Sequence, residues 1–161
     1  MDKLFSPWRS KYIETFARSK DEPEVCVFCD AVKANDEDRL IIARGKTCFV
    51  IMNLYPYNSG HLMVVPYRHL QDLVDLTADE SLEVMQFQQT MIAALRNVSH
   101  PDGFNLGANL GRTAGAGIDQ HIHFHIVPRW SGDTNFMPTL ADTKMISEDM
   151  KETWRKLRKE F

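Results

Sequence analysis

An α+β fold, with helices packed on an antiparallel sheet, follows from three features of the 161-residue chain. Short runs rich in Val, Ile and Phe, such as RLIIARGKTCFVIMN and HLMVVP, are broken by Gly or closed by Asn and Pro, and so read as strands. The segment from His121 to Val127 alternates strictly, with Ile122, Phe124 and Ile126 on one face and three histidines on the other. A long stretch after Thr77 carries apolar residues at helical spacing. In this order, helices cover an antiparallel sheet.

The elements follow along the chain. SPWRSKYIETFARSK predicts an N-terminal helix within about residues 1–22, with Ser6 as cap, Pro7 in the first turn and Trp8, Tyr12, Ile13 and Phe16 near one face. VCVFCDAV comes next, then an exposed acidic NDEDR. The two strands of RLIIARGKTCFVIMN hinge at Gly45, and the turn-rich LYPYNSG leads to a strand closed by Pro66. Thr77 and Glu80 form a Thr-x-x-Glu capping box for the longest helix, which carries Leu82, Met85, Met91, Ile92, Leu95 and Val98 and ends before HPDG. His100 reads as a surface turn residue with no role. FNLGANL is a strand, GRTAGAG a glycine loop, and the histidine strand follows. A last helix over roughly 146–160 gathers Lys and Arg in its final turns, complementing the helix dipole. Without a repeat or linker, residues 1–161 read as one domain.

Composition excludes several classes. With 43% hydrophobic and 25% charged residues the chain is ordinarily globular. A net charge of -3 gives no basic footprint for nucleic acid, though a small anionic ligand stays compatible with it. No apolar run approaches the roughly 18 residues that span a bilayer, and the start lacks a signal core. Three cysteines make no disulfide framework, so a reducing cytoplasm is the expected compartment.

The chemistry concentrates in His121, His123 and His125. On a strand they share one face, roughly 6–7 Å apart, and they titrate near neutrality. Spacing alone leaves two uses open: chelation of a metal, or a neutral imidazole acting as nucleophile. The glycine loop 111–117 lets backbone N–H groups approach an anion; Arg112 and Arg129 nearby read as solvated. Asn53 reads as a turn residue, His61 as the start of a strand, and Trp130 as core. Cys26-x-x-Cys29 has three readings: a redox pair, for which no βαβ pattern exists, inert packed thiols, or half of a zinc site that needs two more ligands. Cys48, within a strand, reads as core.

His121-Ile-His123-Phe-His125-Ile-Val127 resembles the signature of the histidine triad (HIT) superfamily of nucleotide hydrolases and transferases. MNLYPYNSGHLMVVPYRH and ANLGRTAGAG are similar to two further family segments, so the likeness covers about residues 25–130. PRWSGDTNFMP and SPWRSKYI look most like the branch of bacterial diadenosine tetraphosphate phosphorylases and Fhit-like hydrolases. The resemblance implies a five-stranded antiparallel sheet and a two-fold homodimer. It implies that His123 attacks the α-phosphorus of a dinucleoside polyphosphate, forming a nucleotidyl-histidine that phosphate or water releases. His125 and His121 would contact the phosphate, with Asn109, Gly115, Ala116 and Gly117 forming the phosphate loop. Asn53 would hold the ribose, and His61 and Trp130 would border the nucleotide. Several bacterial relatives hold a structural zinc at the positions that here are Cys26, Cys29, His69 and His121; no organic cofactor is implied. Many hydrolases of the family carry Gly-Gln-Ser or Gly-Gln-Thr before the triad, whereas this chain has Gly115-Ala116-Gly117-Ile118-Asp119-Gln120, which leaves room for phosphate as acceptor. A phosphoramidase-like hydrolase of nucleotide conjugates and a nucleotide-binding regulatory module are the competing expectations.

Overall fold

A computed structural model describes residues 25–134, 146 and 149–161; the helix predicted for residues 1–22 lies outside these. The elements are α1 (Val27–Ala31), α2 (Asp36–Arg39), β1 (Ile41–Arg44), β2 (Cys48–Met52), β3 (Leu62–Pro66), α3 (Ala78–Ser99), β4 (Gly103–Gly107), β5 (Phe124–Arg129) and α4 (Met150–Arg158), with short 3-10 turns at Leu73–Asp75 and Arg112–Ala114. The sheet is five-stranded and antiparallel throughout, in the order β1-β2-β3-β5-β4. The α+β expectation holds.

β2 and β3 are buried at every position, as central strands covered on both faces must be. On one face, α3 and α4 pack through Val84, Met91, Leu95, Trp154 and Leu157 onto Val50, Leu62, Val64 and Ile126. On the other, Phe28 and Ala31 of α1 cover Phe49, Ile51, Met63 and Val65. The capping box at Thr77 forms in both directions. His100 ends α3 as a left-handed cap residue, φ 48°, in keeping with a turn role. Cys48 is fully buried, and burial pushes its thiol up to about 11.

Four elements differ from the expectation. VFCDA and DEDR each form a short helix, the second capped by the Asn35 side chain. The C-terminal helix is shorter than its charge pattern suggests, because the Asp149 carboxylate caps it by accepting from the N–H groups of Lys151 and Glu152. The histidine strand begins at Phe124, not His121.

The hinge at Gly45 also has a tertiary cause. Glu83 of α3 accepts from the backbone N–H groups of Lys46, Thr47 and Cys48 at 2.8, 2.6 and 2.7 Å. A Cβ on Gly45 would lie 2.5 Å from its Oε1. Glu83→Ala strands three donors, and hydrogen bonds to a charged acceptor are strong, so we expect a loss of about 2–3 kcal/mol. Urea unfolding checks this; an unchanged midpoint would refute it.

Candidate functional site

The ladder between β3 and β5 stops at Val64 and Phe124, so His121 and His123 precede the regular strand while His125 lies within it. Their segment is tied instead by Ile122 N–H, which donates to Leu70 O at 2.7 Å. All three imidazoles are buried, at 0%, 6% and 7% exposure. The histidine face is thus an interior lined by Phe28, not a solvated surface. The His123 ring lies 4.9 Å from that of His125 and 5.0 Å from that of Phe28.

Backbone partners fix the tautomers. A carbonyl only accepts, so His123 Nδ1 donates to His121 O at 2.9 Å, which leaves the Nε2 lone pair free of a proton in the neutral ring. His121 Nε2 donates to Pro66 O at 2.9 Å, which makes its Nδ1 a lone-pair donor. Tyr57 N–H donates to His61 Nδ1 at 3.0 Å, and the Asn53 amide reaches the same atom at 3.3 Å. The proton of His61 is therefore on Nε2, which donates to His125 Nδ1 at 2.9 Å. His125 in turn carries its proton on Nε2. That N–H is the one buried side-chain N or O atom among the described residues with no hydrogen-bond partner. The cluster thus presents an unprotonated nitrogen on His123 and an orphaned donor on the adjacent His125.

Burial keeps these rings neutral. It pushes His61 down to about 3, with His125 and His123 as the lesser causes, and His125 down to about 4, with His123 second. His123 is also lowered by burial, partly offset by its bond to His121 O. The folded pKa values of His61 and His125 lie below the unfolded 6.5, so the folded state binds fewer protons. Stability is therefore complete above pH 6.5 and falls with acidification through the window from 6.5 to about 4 and 3. Each ring sets a slope of up to about 1.4 kcal/mol per pH unit there. Urea midpoints at pH 7 and 5.5 measure it; a slope undiminished in a His61→Gln/His125→Asn double variant would refute the assignment.

A second cluster adjoins the first. Cys26, Cys29, His69 and His121 each offer one ligand atom, all within 4.8 Å of one another. Cys26 Sγ to His121 Nδ1 is 3.3 Å, Cys29 Sγ to His69 Nδ1 3.4 Å and Cys29 Sγ to His121 Nδ1 3.6 Å. Zinc–sulfur bonds of about 2.3 Å and zinc–nitrogen bonds of about 2.0 Å give a tetrahedral sulfur–nitrogen edge of about 3.5 Å. The donor set and its spacing fit. The Pro66 carbonyl supplies the partner that orients a ligating histidine. Burial, then the neighbouring Cys26 thiol, push the Cys29 thiol up, so a thiolate there is favoured by a bound cation.

The remaining predicted residues fall in two groups. Asn53 and His61 join His125 as described, and the Asn109 amide nitrogen lies 4.0 Å from where a Cβ on Gly115 would be, at φ +92°. Ala116 is buried while Gly115 and Gly117 are exposed. Trp130 Nε1 donates to Ser99 O, and the residue lines a cavity of about 270 Å³ with Ser59, Gly60, Asp149, Glu152, Thr153 and Lys156. Arg112 pairs with Asp119 and Arg129 with Asp133, each in an ion pair. Sequence reading missed Phe28 and Tyr57, whose rings cover the histidines. The only signal was an aromatic residue between two cysteines, and another before Gly-His.

The HIT domain family model matches residues 34–132. AP-4-A phosphorylase of Mycobacterium tuberculosis is 43% identical over 166 aligned residues, covering 100% of this chain and 85% of that protein. The bifunctional bis(5'-adenosyl)-triphosphatase/adenylylsulfatase FHIT of Arabidopsis thaliana is 30% identical over 68% of this chain and 59% of its own length. Among solved structures, a Zn-bound histidine triad family protein from Mycobacterium smegmatis superposes with a TM-score of 0.68 and 30% identity, covering 84% of this chain and 92% of that one. The fold, the histidine row and these likenesses agree, and the chain belongs to the HIT domain family.

Proposed function

We propose that this chain cleaves a dinucleoside polyphosphate, diadenosine tetraphosphate foremost, by nucleotidyl transfer through His123. The observation that carries the reading is the pair of nitrogens fixed by backbone bonding: a proton-free Nε2 on His123 beside an unpartnered Nε2–H on His125. The first is a nucleophile at neutral pH without prior deprotonation. The second is an unpartnered donor beside it, suited to a phosphate oxygen that gains charge. His123 Nε2 forms a bond to the α-phosphorus as the bond from that phosphorus to its bridging oxygen breaks; ATP leaves with the electron pair. Inorganic phosphate then displaces His123 from the nucleotidyl group to give ADP, or water gives AMP.

Asn109 and the loop Gly115–Gly117 hold the polyphosphate, and Asn53 reaches the ribose while its amide fixes His61. Trp130 borders the nucleotide through its ring face, its Nε1–H being engaged by Ser99 O. The likeness of 100% of this chain to 85% of an AP-4-A phosphorylase favours phosphate as the acceptor. Cys26, Cys29, His69 and His121 would hold zinc as a structural cation, joining three chain segments.

A homodimer belongs to the same reading. Among the described residues β4 is an edge strand, and Leu106 within it and Leu110 after it are 49% and 43% exposed. Sedimentation is expected to give twice the chain mass, and a monomer at micromolar concentration would refute the dimer.

Product analysis with diadenosine tetraphosphate tests the activity. ADP plus ATP appearing only with phosphate present is the expected result. AMP plus ATP without phosphate would make the enzyme a hydrolase. No cleavage under either condition would overturn the reading.

A further inference from the structure

Phe28 stands between the two cysteine ligands, in Cys26-Val27-Phe28-Cys29. Its ring meets His121 edge-on at 5.5 Å and His123 at 5.0 Å with an interplanar angle of 48°. We infer that Phe28 is a positioning residue for the nucleophile: the cysteine pair holds its ring against the His123 imidazole and so fixes the direction in which Nε2 points. The inference rests on the role proposed above for His123.

His123 takes its orientation from side-chain packing more than from the sheet. It lies outside the β3–β5 ladder. Among the described residues, the hydrogen bond from Nδ1 to His121 O sets its tautomer, and the orientation of the ring about that bond is set by the side chains packed on it. The rings against it are those of His125 and Phe28. Phe28 is 2% exposed, so it offers no open face on which a base could stack; what it covers is the imidazole. α1 is only five residues long, too short to hold its own shape. Its place is set by Cys26 and Cys29 at the metal cluster and by Phe28 and Ala31 in the core. The ligand pair therefore does two things at once: it completes the cation site and presents the ring between its members to the neighbouring catalytic histidine.

The test compares zinc-loaded Phe28→Ala and Phe28→Leu with Phe49→Leu, a change in the same apolar cluster that touches no histidine ring. Misplacing a reacting group by about 1 Å costs about 100-fold in rate. We expect kcat of Phe28→Ala to fall by about that factor with KM little changed, and Phe28→Leu to recover part of it. Carbethoxylation of His123 by diethyl pyrocarbonate, mapped by mass spectrometry, should run several-fold faster in Phe28→Ala at unchanged zinc content. Phe49→Leu should lose thermal stability but keep kcat and the labelling rate. If Phe28→Ala does not fold, Phe28→Leu against Phe49→Leu decides. Equal effects of the Phe28 and Phe49 changes, or loss of zinc from the Phe28 variants, would overturn the inference. A wild type with no turnover would instead refute the proposed activity, and the labelling rates would still decide the role of Phe28.

Discussion

His123→Ala is expected to lower kcat on diadenosine tetraphosphate by at least about 10⁴-fold, the scale on which removal of a nucleophile acts. Nucleotide affinity should change little, because phosphate recognition is assigned to the His125 N–H, Asn109 and the glycine loop. The physical reason is specific. His123 Nε2 is the proton-free ring nitrogen left over when Nδ1 bonds to a backbone carbonyl. His125 cannot replace it: its Nδ1 accepts from His61 and its Nε2 carries the proton. His61 is likewise engaged at both nitrogens. The wild type should accumulate an acid-labile, base-stable nucleotide adduct on His123, visible in rapid-quench labelling with substrate marked at the α-phosphorus. Residual turnover above about 1% in the variant, or an adduct mapped to another residue, would remove His123 from the role.

The second large effect belongs to the metal cluster. Cys29→Ser is expected to lose bound zinc and to lower the thermal midpoint by about 10 °C. That shift corresponds to about 3–5 kcal/mol in a domain of this size. It is smaller than the full zinc contribution in a zinc finger, about 10–16 kcal/mol, because an apolar core remains. The cluster ties α1, the turn after β3 and the segment before β5, with Cys26 and His121 95 positions apart. Without the cation, that closure is lost and two thiols and two imidazoles are left within 4.8 Å of one another. Elemental analysis and thermal unfolding, with and without a chelator, read the effect. Wild type that binds no zinc, or a Cys29→Ser variant of unchanged midpoint, would refute it.

Much of this was legible along the chain because it depends on local rules. The capping box at Thr77 and the strand closed by Pro66 each follow from neighbours a few residues away, and Gly45 marks by its residue type a hinge that Glu83 also holds. The four-residue metal cluster was legible only through family likeness, since Cys26 and Cys29 name two ligands and the fold must bring the others. α1 and α2 were not legible: runs of five and four residues carry too little periodicity, and tertiary contacts hold them.

By itself, then, the sequence determined the antiparallel α+β plan, the boundaries of the long helix, and the row of imidazoles on one side of a chain segment. Period and turn chemistry are written in adjacent residues, and adjacent residues suffice to read them. The fold decided which nitrogen of His121 and of His125 carries the proton. That choice is made by Pro66 O and Tyr57 N–H, distant in sequence from the rings of His121 and, through His61, of His125. It also decided that the row is buried beneath Phe28 and that His123 stands outside the ladder. A hydrogen bond requires its partner in space, and a partner tens of residues away cannot be read from local spacing.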